Sequence, residues 1–207
     1  MHDSPYLPVA FTADDAYVKT DEFDGLPLIP ASELTKRYPT SDYDGHVALS
    51  YRRLNETRMQ KFSMMKDLGY RLASYVCTRS VTWPDLTVGE NCMILENQTI
   101  QPTVKIGDNV MIWSGNHLGH GCSIGNHTYI SSHVCVSGHV KIGERCFLGV
   151  NACLKDFISV GDRSFITMGS SVVKDIPPDS VVLGAKNTFL EGSSELGSRI
   201  IQDYFYK

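Results

Sequence analysis

The sequence predicts a mainly β fold: a left-handed parallel β-helix of stacked hexapeptide coils, preceded by a small α/β unit. Two periodicities predict the coils. Every sixth residue from Val88 to Val172 is aliphatic, fifteen times without an insertion, through Ile94, Ile100, Ile106 and on to Ile166. A helix repeats at 3.6 and an amphipathic strand at 2, so neither produces this series. A strict period of six marks a hexapeptide β-helix, in which each repeat is one short strand and its corner. The second periodicity is eighteen. Val88-Gly89-Glu90, Ile106-Gly107-Asp108, Ile124-Gly125-Asn126, Ile142-Gly143-Glu144 and Val160-Gly161-Asp162 recur at that interval. Eighteen is three hexapeptides, so one coil of a triangular prism holds three strands and three corners.

The element order follows from this ruler. Residues 76–176 make between five and six coils. The fourth position after each aliphatic residue is mostly small or β-branched (Cys92, Val104, Cys122, Val134, Cys146, Ala152) and points inward with it, each rung stacking ~4.8 Å from the next. The recurring glycines are expected where a corner needs backbone freedom that a Cβ restricts. Residues 1–75 read as a small, apparently truncated α/β unit. Pro8–Ala13 and His46–Ser50 are short apolar runs that suit a parallel sheet. Ala31–Arg37 suits a short helix, and Asn55 can cap a longer one through Leu68, with Gly69 as its stop. No G-x-G loop stands ahead of Asp14-Asp15 to hold a phosphate. Residues 177–207 form a C-terminal extension. Pro177-Pro178 is expected to break the repeat, and the amphipathic Ser194–Tyr206 to cover the last coil or pack on a neighbouring subunit.

Composition narrows the function classes. Nineteen basic residues against twenty-three acidic leave −4, without a basic cluster, which argues against nucleic acid as a partner. No apolar run reaches the ~18 residues of a membrane span and the N-terminus has no signal-peptide pattern, so the expected location is the cytoplasm. The six cysteines include no C-x-x-C pair and are expected reduced and buried, with Cys135 and Cys153 stacked in adjacent coils.

Chemistry concentrates in Trp113-Ser114-Gly115-Asn116-His117-Leu118-Gly119-His120-Gly121. With His127, His133 and His139, five of the seven histidines fall within twenty-three residues, none at an inward position. Clustered titratable groups on an outer surface favour a site. Zinc needs three ligands, and neither an H-x4-H spacing nor a three-ligand set in one coil is present, so no metal is expected. General-base catalysis needs one neutral histidine to take the proton from an attacking amine or hydroxyl, and an N–H donor for the oxyanion.

At this point residues 113–176 resemble the bacterial sugar acetyltransferases of the PglD/NeuD type, left-handed β-helix homotrimers that use acetyl-CoA. The similarity extends more loosely over 9–112 and includes Asp14-Asp15. The family's I-x-H-[ED]-x-x-I-G stretch corresponds to Leu118-Gly119-His120-Gly121-Cys122-Ser123-Ile124-Gly125. The resemblance therefore implies His120 as base. It implies Gly138, one coil on, as the backbone donor to the thioester oxygen. It also implies Tyr129, Val150, Met168, Gly138 and Lys186 along the CoA groove, Asp14 and Asp15 at a nucleotide, and sites between subunits.

Two departures matter. Gly121 stands where relatives carry a carboxylate that orients the imidazole, so His117 or Asn116 could take that role, or His117 could itself be the base. Trp113 replaces a small polar residue and suits stacking on a sugar face. The function expected is acetyl-CoA-dependent N-acetylation of a nucleotide-linked amino sugar for surface glycan synthesis. O-acetylation of a sugar or sialic-acid-like hydroxyl, a catalytically silent trimeric scaffold and a metal-dependent hydratase are the rivals.

Overall fold

The computed structural model describes residues 3–185, 191 and 193–205. From Tyr75 to Val182 the chain winds as a triangular left-handed β-helix with three parallel sheets of seven, five and five strands. Each strand is two residues long, one outward and one inward. Register partners stand eighteen apart, as in Ile94↔Ile112, Leu118↔Val136 and Ile124↔Ile142. The inward stacks are closed to solvent: Ile94, Ile112, Ile130, Leu148 and Ile166 are all 0% exposed. Each such side chain contributes about 1.5–3 kcal/mol relative to an exposed one, so the aliphatic register holds the prism together.

Three corners separate three faces. The first corner comprises 113–116 and its equivalents, the second 119–122, the third 125–128. Face one carries Met111, Tyr129, Phe147 and Phe165 outward, between the third and first corners. Face two, between the first and second, carries His117, Cys135 and Cys153. Face three carries Lys105, Ser123 and Lys141.

The third-corner glycines are present for a reason other than the one expected. Gly89, Gly107, Gly125, Gly143 and Gly161 are absent from the positive-φ residues, so their backbone is ordinary. What they lack is room. A Cβ on Gly125 would lie 2.5 Å from the Gly143 carbonyl oxygen and 2.7 Å from the Glu144 nitrogen. The tight approach lets an acidic or amide side chain staple the corner before it: Asp108 accepts from the Glu90 N–H at 2.7 Å and Asp162 from the Glu144 N–H at 2.8 Å. Left-handed backbone falls elsewhere, at every sixth residue from Asn91 to Gly169, fourteen positions with φ between +54° and +79°. Four are Asn, three are Gly, and His127, His133 and His139 occupy three more. Asn and His are among the residues that tolerate this region best. Three of the five clustered histidines thus have a structural reason for their place.

The inward thiols Cys92, Cys122 and Cys146 are buried and donate to carbonyls of the next coil; burial pushes Cys92 and Cys146 up to about 11. Cys153 is exposed and Cys135 half-buried, so the expectation that every thiol is buried does not hold for this register pair. Pro177-Pro178 shortens the final coil and does not end it. Ile176 pairs with Val160 and Val182 with Ile166, sixteen residues apart instead of eighteen.

The N-terminal unit is docked onto the prism. Strand β1 (Phe11–Ala13) pairs in parallel with β3 (Leu26–Pro30), and β2 (Glu22–Phe23) forms a hairpin with β3. His46–Ser50 is not a strand: only Gly45 bridges, to Leu72, and the run lines a cavity. The short helix α1 (Leu34–Arg37) follows a turn at Ala31–Glu33. Helix α2 (Glu56–Asp67) begins after Asn55, whose amide leaves its own helix uncapped and donates instead to the Cys146 carbonyl at 2.9 Å.

Arg58, 1% exposed, reaches from α2 to the third corner. Its Nε donates to Asn109 Oδ1 at 2.7 Å and a terminal nitrogen to the Asn91 carbonyl at 3.2 Å. Asn91 Nδ2 donates to the same Asn109 oxygen at 2.7 Å, and Asn109 Nδ2 to His127 Nδ1 at 2.9 Å. Buried without a carboxylate among these partners, the guanidinium is pushed down to about 10.

Burial and the nearby Arg58 also lower His127, and burial lowers His46. Both imidazoles bind protons more readily in the unfolded chain, so the stability they supply is complete above ~pH 6.5 and lost as pH falls through their folded values. The thermal midpoint is expected to fall between pH 7 and pH 5. His127→Asn, which suits the left-handed corner, should flatten that fall; an unchanged slope in a thermal-shift series would assign the loss elsewhere.

The C-terminal helix α3 (Glu195–Phe205) leaves Leu196, Ile200 and Ile201 exposed. No helix among the described residues is long and apolar enough to cross a membrane.

Candidate active site

The second corner builds the site. Gly119 lies so close to the next coil that a Cβ would stand 2.6 Å from the Ser137 carbonyl carbon and 2.7 Å from the Gly138 nitrogen. Gly121 follows at φ +69°, with His139 Cε1 2.8 Å from where its Cβ would sit and Nδ1 closer still. Between two glycines the corner projects one side chain, the exposed His120. One coil on, Gly138 leaves space that a side chain would fill: its Cβ would lie 2.8 Å from His120 Cε1 and 3.0 Å from Nε2. The ruler of eighteen thus does bring these two residues together.

A residue not anticipated from the sequence holds His120. Gln101 Oε1 accepts from the His120 backbone N–H at 2.9 Å and lies 3.1 Å from its Nδ1. Gln101 occupies the first position of the same corner one coil earlier, directly under Gly119, so subtracting eighteen would have found it. His139 lies edge-on to His120, centroids 4.8 Å apart, and stacks on Phe157 at 5.0 Å.

The Gly138 N–H is already engaged. It donates to Asp156 Oδ1 at 2.9 Å, the same corner staple seen at Asp108 and Asp162. The sequence-based assignment of this N–H as a free oxyanion donor is therefore corrected: the Asp156 carboxylate must leave before any ligand oxygen can take its place.

Other expected residues are distributed around the prism. His117 lies half-buried on face two, between Thr99 and Cys135. Trp113 is 42% exposed at the first corner. Asn116 is 1% exposed; its amide donates to the Trp113 carbonyl and accepts from the Val134 N–H at 2.6 Å. It can neither meet a substrate nor orient His120, because both ends of its amide are spent inside the coil. Tyr129 is 4% exposed on face one, stacked on Phe147 at 5.3 Å and covered by Tyr51 at 5.0 Å, so it does not open onto a groove of this chain. Val150 and Met168 form an exposed ridge in consecutive coils at the first corner, Met168 being 71% exposed. Lys186 lies outside the described residues.

The N-terminal unit holds a cavity of about 460 Å³. Asp14 and Lys61 form an ion pair on its wall, near Tyr38, Tyr43 and His46. Asp15 is turned to another purpose. Its carboxylate accepts from the Ser32 N–H at 3.1 Å and hydroxyl at 2.6 Å, which holds it below the usual carboxylate range and anchors the turn at Ala31–Glu33. Asp15 does not line the cavity. The unit docks on the third corner and face one, whereas His120 stands at the second corner, the vertex opposite face one. Within one chain the cavity and His120 are on different sides of the prism.

Residues 103–138 match the bacterial transferase hexapeptide model (six repeats), and 139–174 match the hexapeptide repeat of succinyl-transferase. No curated protein sequence matches the chain. Among solved structures, a mutant of perosamine N-acetyltransferase from Caulobacter crescentus, in complex with CoA and GDP-perosamine, is 24% identical with a TM-score of 0.72, over 77% of this chain and 75% of that one. The acetyltransferase domain of PglB from Neisseria gonorrhoeae FA1090 is 22% identical, TM-score 0.75, over 85% and 83%. WeeI from Acinetobacter baumannii AYE is 19% identical, TM-score 0.63, over 84% and 82%. At these identities the likeness establishes the fold, and the repeats establish the chain as a hexapeptide-repeat β-helix protein.

Proposed function

We propose that this protein is an acetyl-CoA-dependent sugar acetyltransferase that N-acetylates a nucleotide-linked amino sugar for surface glycan synthesis. The observation that carries the proposal is the second corner, where His120 alone projects between two glycines with Nε2 over the side-chain-free Gly138. The Caulobacter enzyme of the same fold binds CoA and GDP-perosamine, which supports the two substrate classes.

The residues suit direct transfer. Acetyl-CoA supplies the activated acyl carbon. His120 Nε2 takes the proton from the attacking amine as nitrogen bonds to that carbon, and the thiolate of CoA leaves. The exposed Val150–Met168 ridge offers apolar surface for a long flexible co-substrate, and Trp113 a face for a sugar ring. The cavity with Asp14 and Lys61 is the proposed nucleotide end. Since it lies across the prism from His120 of the same chain, the proposal includes a homotrimer in which one subunit presents the sugar to its neighbour's second corner.

The primary test is thiol release from acetyl-CoA against a panel of nucleotide amino sugars and their hydroxyl counterparts. Turnover with hydroxyl sugars alone would replace N- by O-acetylation. Asp156 gives a further expectation. Asp156→Ala removes the competitor for the Gly138 N–H and should raise kcat/KM for acetyl-CoA, at a cost of about 1 kcal/mol in stability from the lost staple. An unchanged or lower kcat/KM would remove Gly138 from the reaction.

A further inference from the structure

We infer that Gln101 is the positioning residue for His120, a neutral carboxamide that locks the imidazole as the Nδ1–H tautomer and leaves the lone pair on Nε2. The inference rests on the proposed role of His120 as base.

The argument begins with one oxygen serving two groups. A Gln side chain can be turned over without changing its shape, and a histidine proton can sit on either nitrogen, so a single contact fixes neither. Here the same Oε1 lies 2.9 Å from the His120 backbone nitrogen and 3.1 Å from its Nδ1. The backbone nitrogen can only donate, so the amide must present its oxygen to the corner. An oxygen lone pair opposite Nδ1 requires a proton on Nδ1. The other nitrogen, Nε2, then carries the lone pair, in a ring whose face lies over the space that Gly138 leaves. Both ambiguities are resolved by a backbone group that has no choice.

The same corner explains why the device is an amide from the preceding coil. A carboxylate on residue 121 would need a Cβ in left-handed backbone at φ +69°, with His139 Cε1 2.8 Å away and Nδ1 closer still. An acidic residue 121 would have to push the His139 ring aside, whereas Gln101 reaches Nδ1 from below with that ring in place. Orientation is thereby separated from charge. A carboxylate would hold the ring and also favour its protonated form, whereas a carboxamide holds the ring only.

The test uses four proteins. Gln101→Met keeps length and removes the acceptor; Gln101→Glu keeps the acceptor and adds charge; His120→Ala identifies the His120 resonances by their loss. In nitrogen-15 spectra of the resting wild-type protein, His120 is expected protonated at Nδ1, with Nε2 bare. Gln101→Met should release that preference and lower kcat about tenfold to a hundredfold, a fraction of the ~10²–10⁴ a positioned base supplies, while KM for acetyl-CoA holds. Gln101→Glu should keep the tautomer and rescue kcat, with the acidic limb of kcat/KM moved up by about one pH unit. A proton on Nε2 in the wild type, or an unchanged tautomer in Gln101→Met, overturns the positioning role whatever the activities are. Full activity in His120→Ala overturns the base reading instead, and the spectra then still report on the lock.

Discussion

His120→Ala is expected to lose about 10²–10⁴ in kcat, the contribution of a positioned general base, while the protein still gains thermal stability from CoA. The variant removes a side chain that projects from the prism and supports no inward layer, so its fold should be intact. The wild-type contact with Gln101 includes the backbone N–H of residue 120, which alanine retains. His117→Ala is the discriminating partner. His117 lies on face two, half-buried beside Cys135, and its loss should leave most of the activity. The converse result, with His117→Ala silent and His120→Ala active, would move the base one strand back along the chain.

Gly125→Ala should have the largest effect on stability, although the change adds a single methyl. All three nearest atoms to the new Cβ are backbone of the next coil, the Gly143 carbonyl and the Glu144 nitrogen, so no side chain can turn aside. Two coils would have to part, and overpacking of this kind costs about 3 kcal/mol or more. At ~2–4 °C per kcal/mol for a chain of this size, the melting point should drop by roughly 6–12 °C. Gly169→Ala is the control. It sits at φ +67° with nothing within 4 Å of the new atom, so it meets only the left-handed backbone penalty of about 1 kcal/mol. Equal losses in the two variants would mean that conformational freedom, and not the approach of neighbouring coils, selects glycine at the third corner.

That pair of glycines also marks how far the fold was legible in the residues. Ile94, Ile112, Ile130, Leu148 and Ile166 announce the prism because only stacked coils place an aliphatic residue inward every six positions. Counting by eighteen brings Gly138 to His120 and Cys135 to Cys153 from the residues alone. The count locates backbones, not what their polar groups are doing. Asn116 stands in the informative stretch yet at the inward fourth position after Ile112, where its amide satisfies the Trp113 carbonyl and the Val134 N–H. The Gly138 N–H is at the right corner yet already bonded to Asp156. Three histidines drew attention as chemistry and serve as residues that accept a left-handed corner. His46–Ser50 has the composition of a strand, but after Gly45 has bridged to Leu72 its backbone joins no sheet: the Val47 N–H donates to Asn91 Oδ1 at 2.6 Å instead. At Gly138 and at Val47 a side-chain hydrogen bond decided the outcome, and at the three histidines the backbone conformation did; the aliphatic period names neither.

The register of eighteen has a consequence for how the chain acquires its structure. Every backbone rung links residues one coil apart, so each new strand closes a loop of the same modest length as the last. Loop-closure entropy stays constant along the prism instead of growing with it, and structure can start at any coil and spread in both directions. The N-terminal unit follows a different rule. Arg58 meets Asn109 across 51 residues, and Asn55 meets Cys146 across 91. Those contacts close long loops onto a surface that exists only after several coils have formed. Residues made before the prism are therefore settled after it, and their docking reports that the prism beneath them is complete.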